Sequence, residues 1–280
     1  MAIRYTVKVI QKIACVAASV FFLASPAYVV GSSRLCVNSN SCNYINQILV
    51  DNNISDVSEM RIDTCPALRV EIDLNNDSSL AGSCVVIKRE KIVDDKGNVS
   101  YKYLAITCYH VLAPMKETPI LIEESRVCIP YLKDGVGILE YPPEEKKEYT
   151  PSFTLRCGSK DLDIAVIEFS SAKLIGVADL SVTQVKSFER IYTLAYPAVE
   201  GLLMTEGRTG YKCPNKWWST SACVYPGASG GPVFNSETGQ LEGIIVGLNF
   251  DTTSNVYILF MSYIIPSNVI IPWLMQEKVL

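Results

Sequence analysis

The stretch Val224-Tyr225-Pro226-Gly227-Ala228-Ser229-Gly230-Gly231-Pro232-Val233-Phe234 sets a serine inside a glycine turn between two apolar pairs. With average Gly, Ser and Pro usage, a Gly-x-Ser-Gly-Gly-Pro string arises by accident in about three of ten thousand chains of this length. Glycines let the backbone take positive φ, so such a turn aims N–H groups at one point, where an oxyanion developing on a substrate would be held. A serine hydroxyl is unreactive at its own pKa, and a nucleophilic role requires a base and a group that orients the base. Without those partners the hexapeptide is an ordinary turn between strands.

One histidine exists in the chain, His110, in Ile106-Thr107-Cys108-Tyr109-His110-Val111-Leu112. A lone histidine is more often an ordinary polar residue than a base, but this one closes an apolar run where a strand gives way to a loop or short helix. The third member is a carboxylate at the edge of a buried strand. Asp163 in Asp161-Leu162-Asp163-Ile164-Ala165-Val166-Ile167 stands there, although Asp before a strand is also common in turns. Chain order separates two chemistries that share the glycine-serine turn. The nucleophile elbow of α/β-hydrolases runs Ser, acid, His, whereas here the order is His110, Asp163, Ser229.

These residues resemble the trypsin-like (chymotrypsin-fold) serine proteases, and within them the HtrA/Deg-like branch. The branch resemblance rests on Asp163-Ile164-Ala165-Val166-Ile167, on Cys223 to Gly231, and on Ile265-Pro266-Ser267-Asn268-Val269. Ala195-Tyr196-Pro197 followed by Thr205-Glu206-Gly207-Arg208 is a weaker match to that family's Gly-x-Pro turn and next strand. The resemblance spans roughly Ala67 to Trp273.

It implies two six-stranded antiparallel β-barrels meeting at a cleft, the first giving His110 and Asp163, the second Ser229. It also implies Ser229 as nucleophile, His110 as general base and acid, Asp163 as the group that fixes the imidazole, and the N–H groups of Gly227 and Ser229 as the oxyanion hole. Cys223 takes the place at the base of the primary pocket, which excludes pairing with a substrate Arg or Lys. A second pocket histidine, as in glutamyl endopeptidases, is excluded because His110 is the only one. A small or medium apolar residue before the scissile bond is the expectation by elimination. Ala228 stands where the digestive enzymes place the Asp that pairs with a newly cut N-terminus, so a zymogen step of that type is not expected.

With 280 residues and 49% hydrophobic content the chain can bury one large core or two small ones. A net charge of −4 without Lys/Arg clusters argues against nucleic acid as a partner. The amino terminus carries Arg4, Lys8 and Lys12, then an uncharged stretch from Ile13 to about Gly31 whose most apolar part is of signal-peptide length. Ser25 and Ala27 suit the positions before a signal-peptidase cut, so export with cleavage after Ala27 is favoured over an uncleaved membrane anchor. Removal of Cys15 leaves nine of the ten cysteines, an odd number that keeps at least one thiol out of internal bridges. Cys213 with Cys223, and then Cys84 with Cys108 on neighbouring hairpin strands, are the bridges expected. No Cys-x-x-Cys pair exists, so neither a structural metal nor a cofactor is expected.

The domain organisation read from these signals is a signal peptide over 1–27, a Cys/Asn-rich extension over 28–65 and the protease domain over 66–280. Leu68, Val70, Ile72 and Leu74 alternate with Arg69, Glu71 and Asp73 as in a half-buried strand. Ser83 to Lys88 and Val99 to Cys108 flank the turn signal Asp94-Asp95-Lys96-Gly97-Asn98. Short apolar runs follow at 120–122, 136–139, 164–169, 191–196, 231–234, 241–248 and 256–264, and the fold class is all-β. Pro272 to Lys278 reads as a short terminal helix. HtrA-like enzymes usually carry a PDZ module beyond that helix, and no room for one is expected here. Polypeptides are the expected substrates. A protease-fold binding protein without activity, and an esterase using the same triad, are the competing readings.

Overall fold

The computed structural model describes residues 27–29, 65–74, 78–113, 125–129, 131–132, 139–140, 150–197, 202–251 and 256–280. In chain order the strands are β1 (Ala27–Val29), β2 (Ala67–Leu74), β3 (Ser78–Val93), β4 (Val99–Thr107), β5 (Arg126–Cys128), β6 (Tyr131–Leu132) and β7 (Leu139–Glu140). They continue as β8 (Phe153–Ser159), β9 (Ile164–Ser171), β10 (Arg190–Ala195), β11 (Leu203–Lys212), β12 (Trp218–Thr220), β13 (Pro232–Asn235), β14 (Leu241–Asp251) and β15 (Val256–Pro266). Two helices occur among the described residues, α1 (Tyr109–Leu112) and α2 (Ser267–Gln276). The all-β class is as the sequence reads. Most of the expected signal peptide and extension, with Cys36 and Cys42, lies outside the described residues, as do the runs at 120–122 and 136–138.

The first barrel has the order β5-β2-β3-β4-β9-β8, and its ends meet where Arg126 bridges Ser152 and the Val127 N–H donates to the Pro151 carbonyl at 2.9 Å. β2 forms because its even-numbered apolar positions turn inward: Leu68, Val70 and Ile72 are fully buried while Arg69, Glu71 and Asp73 stay half-exposed. The β3–β4 turn is closed by Asp94, whose carboxylate accepts the backbone N–H groups of Lys96 and Asn98 at 2.9 and 2.8 Å. Gly97 supplies the left-handed residue there with φ 80°.

The second barrel runs β11-β10-β13-β14-β15-β12 and closes from β12 back onto β11, with β1 added along the outer edge of β11. β11 and β12 carry few consecutive apolar residues, and periodicity alone misses them. Helix α2 begins at Ser267, well before the start expected at Pro272, which sits inside it. Pro266 ends β15 in an extended conformation, and the Ser267 hydroxyl bonds the Leu241 carbonyl, so tertiary contacts fix the helix start.

Seven cysteines among the described residues, Cys65, Cys84, Cys108, Cys128, Cys157, Cys213 and Cys223, are free thiols, and neither expected bridge is formed. The register Val85↔Ile106 puts Cys84 across from Thr107, so Cys108 belongs to the opposite face of the pleat. Gly207 lies against Ala222, so Cys223 sits near one end of the β11–β12 ladder and Cys213 at the other, about 20 Å away by strand rise. A disulfide spans less than about 7 Å between Cα atoms. Burial pushes the Cys65 thiol up to about 11 and the Cys128 thiol up to about 12. Protein denatured without reductant and alkylated with iodoacetamide should therefore carry the alkyl group on both Cys213 and Cys223, as read by peptide mapping.

Glu242 on β14 is buried, with Oε1 accepting from the Asn235 amide at 3.4 Å and Oε2 buried without a hydrogen-bond partner. Burial raises its carboxyl pKa above the usual carboxylate value. The folded chain then holds a proton that the unfolded chain releases above about pH 4.3, so stability falls as pH rises through the interval between those two pKa values. Glu242→Gln removes that loss. Its melting temperature should exceed that of the parent by about 2–4 °C at pH 7–8, with the gap closing below about pH 4, as read by calorimetry.

Candidate active site

β4 ends at Thr107, and the chain turns through Cys108 into the single turn α1, which carries His110 at the surface. The turn is held by the start of β9. The Asp163 carbonyl accepts the Tyr109 N–H at 3.2 Å, and Asp163 Oδ1 accepts the His110 N–H at 2.8 Å. The other carboxylate oxygen, Oδ2, lies 2.7 Å from His110 Nδ1. One carboxylate thus fixes both the backbone and the ring of the histidine. Because a carboxylate only accepts, Nδ1 is the protonated ring nitrogen and Nε2 keeps its lone pair.

Asp163 adopts φ 57°, a left-handed conformation that Asp tolerates better than most residues. The Asp163 side chain is 17% exposed against 47% for His110, so the ion-pairing face is sheltered while the imidazole reaches solvent. Such local strain beside sheltered charge is typical of sites where geometry is over-determined.

The Ser229 turn is folded on itself by two bonds, Ala228 N–H to the Tyr225 carbonyl at 3.0 Å and Gly231 N–H to the Ala228 carbonyl at 2.9 Å. Gly227 and Gly230 take φ 97° and 86°. Gly230 cannot be replaced, since a Cβ there would collide with the Ser83 carbonyl and the Thr107 hydroxyl. The Gly230 N–H donates to the Ile245 carbonyl at 2.7 Å. The N–H groups of Gly227 and Ser229 have no hydrogen-bond partner among the described residues. The Ser229 hydroxyl donates to the Val246 carbonyl at 3.0 Å. No hydrogen bond joins it to His110 among the described residues.

That carbonyl is available because β14 bulges: Ile245 pairs with Ile264 and Gly247 with Tyr263, leaving Val246 unpaired. β13 covers β14 only as far as Ile244. Beyond it no strand among the described residues pairs with this edge, and among them a Cβ built on Gly247 meets nothing within 4 Å.

Residues 82–244, more than half of the chain and including His110, Asp163 and Ser229, match the family described as trypsin-like peptidase domain. The chain belongs to this family. Among solved structures, the trypsin-like peptidase domain is similar to the serine endoprotease from Yersinia pestis. The match has 18% sequence identity and a TM-score of 0.52, and covers 79% of this chain and 65% of that one. The chain thus spans under two thirds of that protein's length, and at this identity the likeness is one of fold. No curated protein sequence matches it.

Around the candidate triad of this trypsin-like peptidase domain, the structure places further residues. Cys108 Sγ donates to the Ile245 carbonyl at 3.1 Å, and its ligand atom lies within 4.8 Å of those of His110 and Asp163. Burial raises its thiol pKa well above the ordinary value, so the group is a packed neutral thiol. Cys223 lines a small pocket of about 10 Å³, with Thr193, Leu203, Thr205, Tyr225 and Ala228. Burial lifts the Tyr225 hydroxyl to about 12. Trp218 is buried and Trp217 packs on Tyr263 at 6.3 Å between ring centres, so both act as wall and core.

Ser83 and Val246 were not legible as site residues. The one signal for Ser83 was the Gly82-Ser83 pair interrupting an apolar strand. Val246 contributes a carbonyl, which no side-chain pattern marks.

Proposed function

We propose that this trypsin-like peptidase domain is a serine endopeptidase using His110, Asp163 and Ser229. The observation that carries the reading is the two-point grip of Asp163 on His110, which leaves Nε2 as the basic nitrogen. Catalysis then requires the Ser229 hydroxyl to leave the Val246 carbonyl and donate to Nε2. Ser229 Oγ attacks the scissile carbonyl as His110 takes its proton, and the tetrahedral oxyanion is met by the free N–H groups of Gly227 and Ser229. His110 returns the proton to the leaving amine, giving an acyl-enzyme that water hydrolyses by the same path. Asp163 keeps the tautomer and stabilises the imidazolium.

A polypeptide is the natural substrate for the open edge from Val246 to Leu248, where an extended chain adds as a strand. An N-acyl amide nitrogen entering that edge competes for the Val246 carbonyl and frees the Ser229 hydroxyl. The branch-type motifs favour an HtrA-like relative, and the amino-terminal pattern of Arg4, Lys8 and Lys12 before an uncharged apolar stretch favours export with cleavage after Ala27.

The bond from Ser229 to Val246 in the free protein also favours a second reading, an inactive protease-fold binding protein. A fluorophosphonate probe run beside casein digestion separates the readings. Labelling with digestion supports the endopeptidase, labelling with ester hydrolysis alone an esterase, and neither the inactive protein.

A further inference from the structure

Ser83 lies on β3, in the barrel opposite Ser229, and is fully buried. Four hydrogen bonds converge on it. Its N–H donates to the Ser229 carbonyl at 2.8 Å, and its hydroxyl donates to the Gly227 carbonyl at 2.9 Å. The same hydroxyl accepts the Tyr196 N–H at 2.9 Å, and its carbonyl accepts the Thr107 hydroxyl at 2.8 Å. Two of these bonds hold the carbonyls of Gly227 and Ser229, the two residues whose N–H groups are free.

Gly227 is a glycine at positive φ, for which a flipped 227–228 peptide carries little steric penalty. If the Gly227 carbonyl turned toward the cleft, its oxygen would face a substrate oxyanion and repel it. We propose that the Ser83 hydroxyl is a positioning residue for the oxyanion hole: it pins the Gly227 carbonyl outward, so that no carbonyl oxygen enters the cleft beside the N–H groups of Gly227 and Ser229. This rests on the endopeptidase reading. The hydroxyl is suited to the task because it both donates to Gly227 and accepts from Tyr196, so its own rotamer is fixed by a backbone N–H of the second barrel. The oxyanion hole of one barrel is therefore tuned from the other.

The test compares a short peptide aldehyde, built on the sequence cleaved fastest in casein, with the matching peptide alcohol. The aldehyde forms a hemiacetal with Ser229 whose oxygen needs the oxyanion hole; the alcohol makes the same side-chain contacts without it. Ser83→Ala is expected to weaken the aldehyde about 10- to 100-fold and lower kcat comparably, with the alcohol and KM within about twofold. Thr107→Val removes another bond to Ser83 without touching Gly227, so it should leave the aldehyde-to-alcohol ratio at the parent value even as stability drops. Equal ratios in Ser83→Ala and the parent would overturn the proposal. Should Ser83→Ala fail to fold, Ser83→Cys reads the same ratio, since a thiol keeps the volume but donates weakly; a parent-like ratio there overturns it as well. If the parent itself neither binds the aldehyde nor labels with a fluorophosphonate, the endopeptidase reading fails instead.

Discussion

Ser229→Ala should abolish fluorophosphonate labelling and lower casein hydrolysis by about 10⁶-fold, the scale on which triads of this kind lose turnover when the nucleophile is removed. The fold should survive. The hydroxyl's one bond is to the Val246 carbonyl, whose other lone pair and open edge remain available to water, so the change in stability is expected to be within about 1 kcal/mol. His110→Ala should fall as far, and the double variant no further, because the two act as a unit. Far-ultraviolet dichroism and a melting curve check the fold; turnover checks the chemistry. Proteolysis that persists in Ser229→Ala would remove this serine from the mechanism.

The second large effect is expected at Asp163. Asp163→Asn keeps the shape and the tolerance for left-handed φ. Its amide nitrogen donates where the carboxylate accepted, so the group can bond His110 on Nδ1 only by forcing the ring into the other tautomer. Nε2 then carries the proton and cannot serve as base. A loss of about 10⁴-fold in kcat is expected, as for the archetypal triad of this fold, with little change in KM. The amide oxygen still accepts the His110 N–H, so α1 is expected to stay ordered, with amide exchange at Tyr109 and His110 close to parental. Retention of more than a tenth of parental kcat would show that Asp163 orients nothing.

Much of this was legible in the sequence because the relevant information is local. The period of two over Leu68 to Leu74 is a property of one strand, and the Asp94 turn closes through atoms four residues apart. Gly227 to Gly231 likewise marks a turn through its own glycines, two of which take positive φ. What escaped was non-local or carried by backbone. β11 and β12 are strands through partners on either side rather than through apolar alternation. The start of α2 depends on Leu241, some twenty-five residues earlier. Ser83 gains its role only when β3 meets a turn 144 positions away. The expected bridges fail because register is non-local: neighbouring hairpin strands carry Cys84 and Cys108 on opposite faces of the pleat, and the two ends of one loop leave Cys213 and Cys223 at opposite ends of a ladder.

The bonds that cross between barrels at Ser83 also bear on the order of events during folding. Trp217 packs on Tyr263 and Trp218 pairs with Ile264, both of β15 in the second barrel, whereas Trp273 of α2 shares a core cluster with first-barrel residues such as Leu68 and Ile106. The nucleophile turn, however, leans on Ser83 and Thr107 of the first barrel. On refolding of a Trp273→Phe variant, burial of Trp217 and Trp218 should therefore precede the ability to react with a fluorophosphonate, with the interval set by docking of the barrels. A chain emerging amino-terminus first has β3 in place before residue 227 is made, so the surface that shapes the turn awaits it, and a newly synthesised molecule becomes chemically competent only in its last step of assembly.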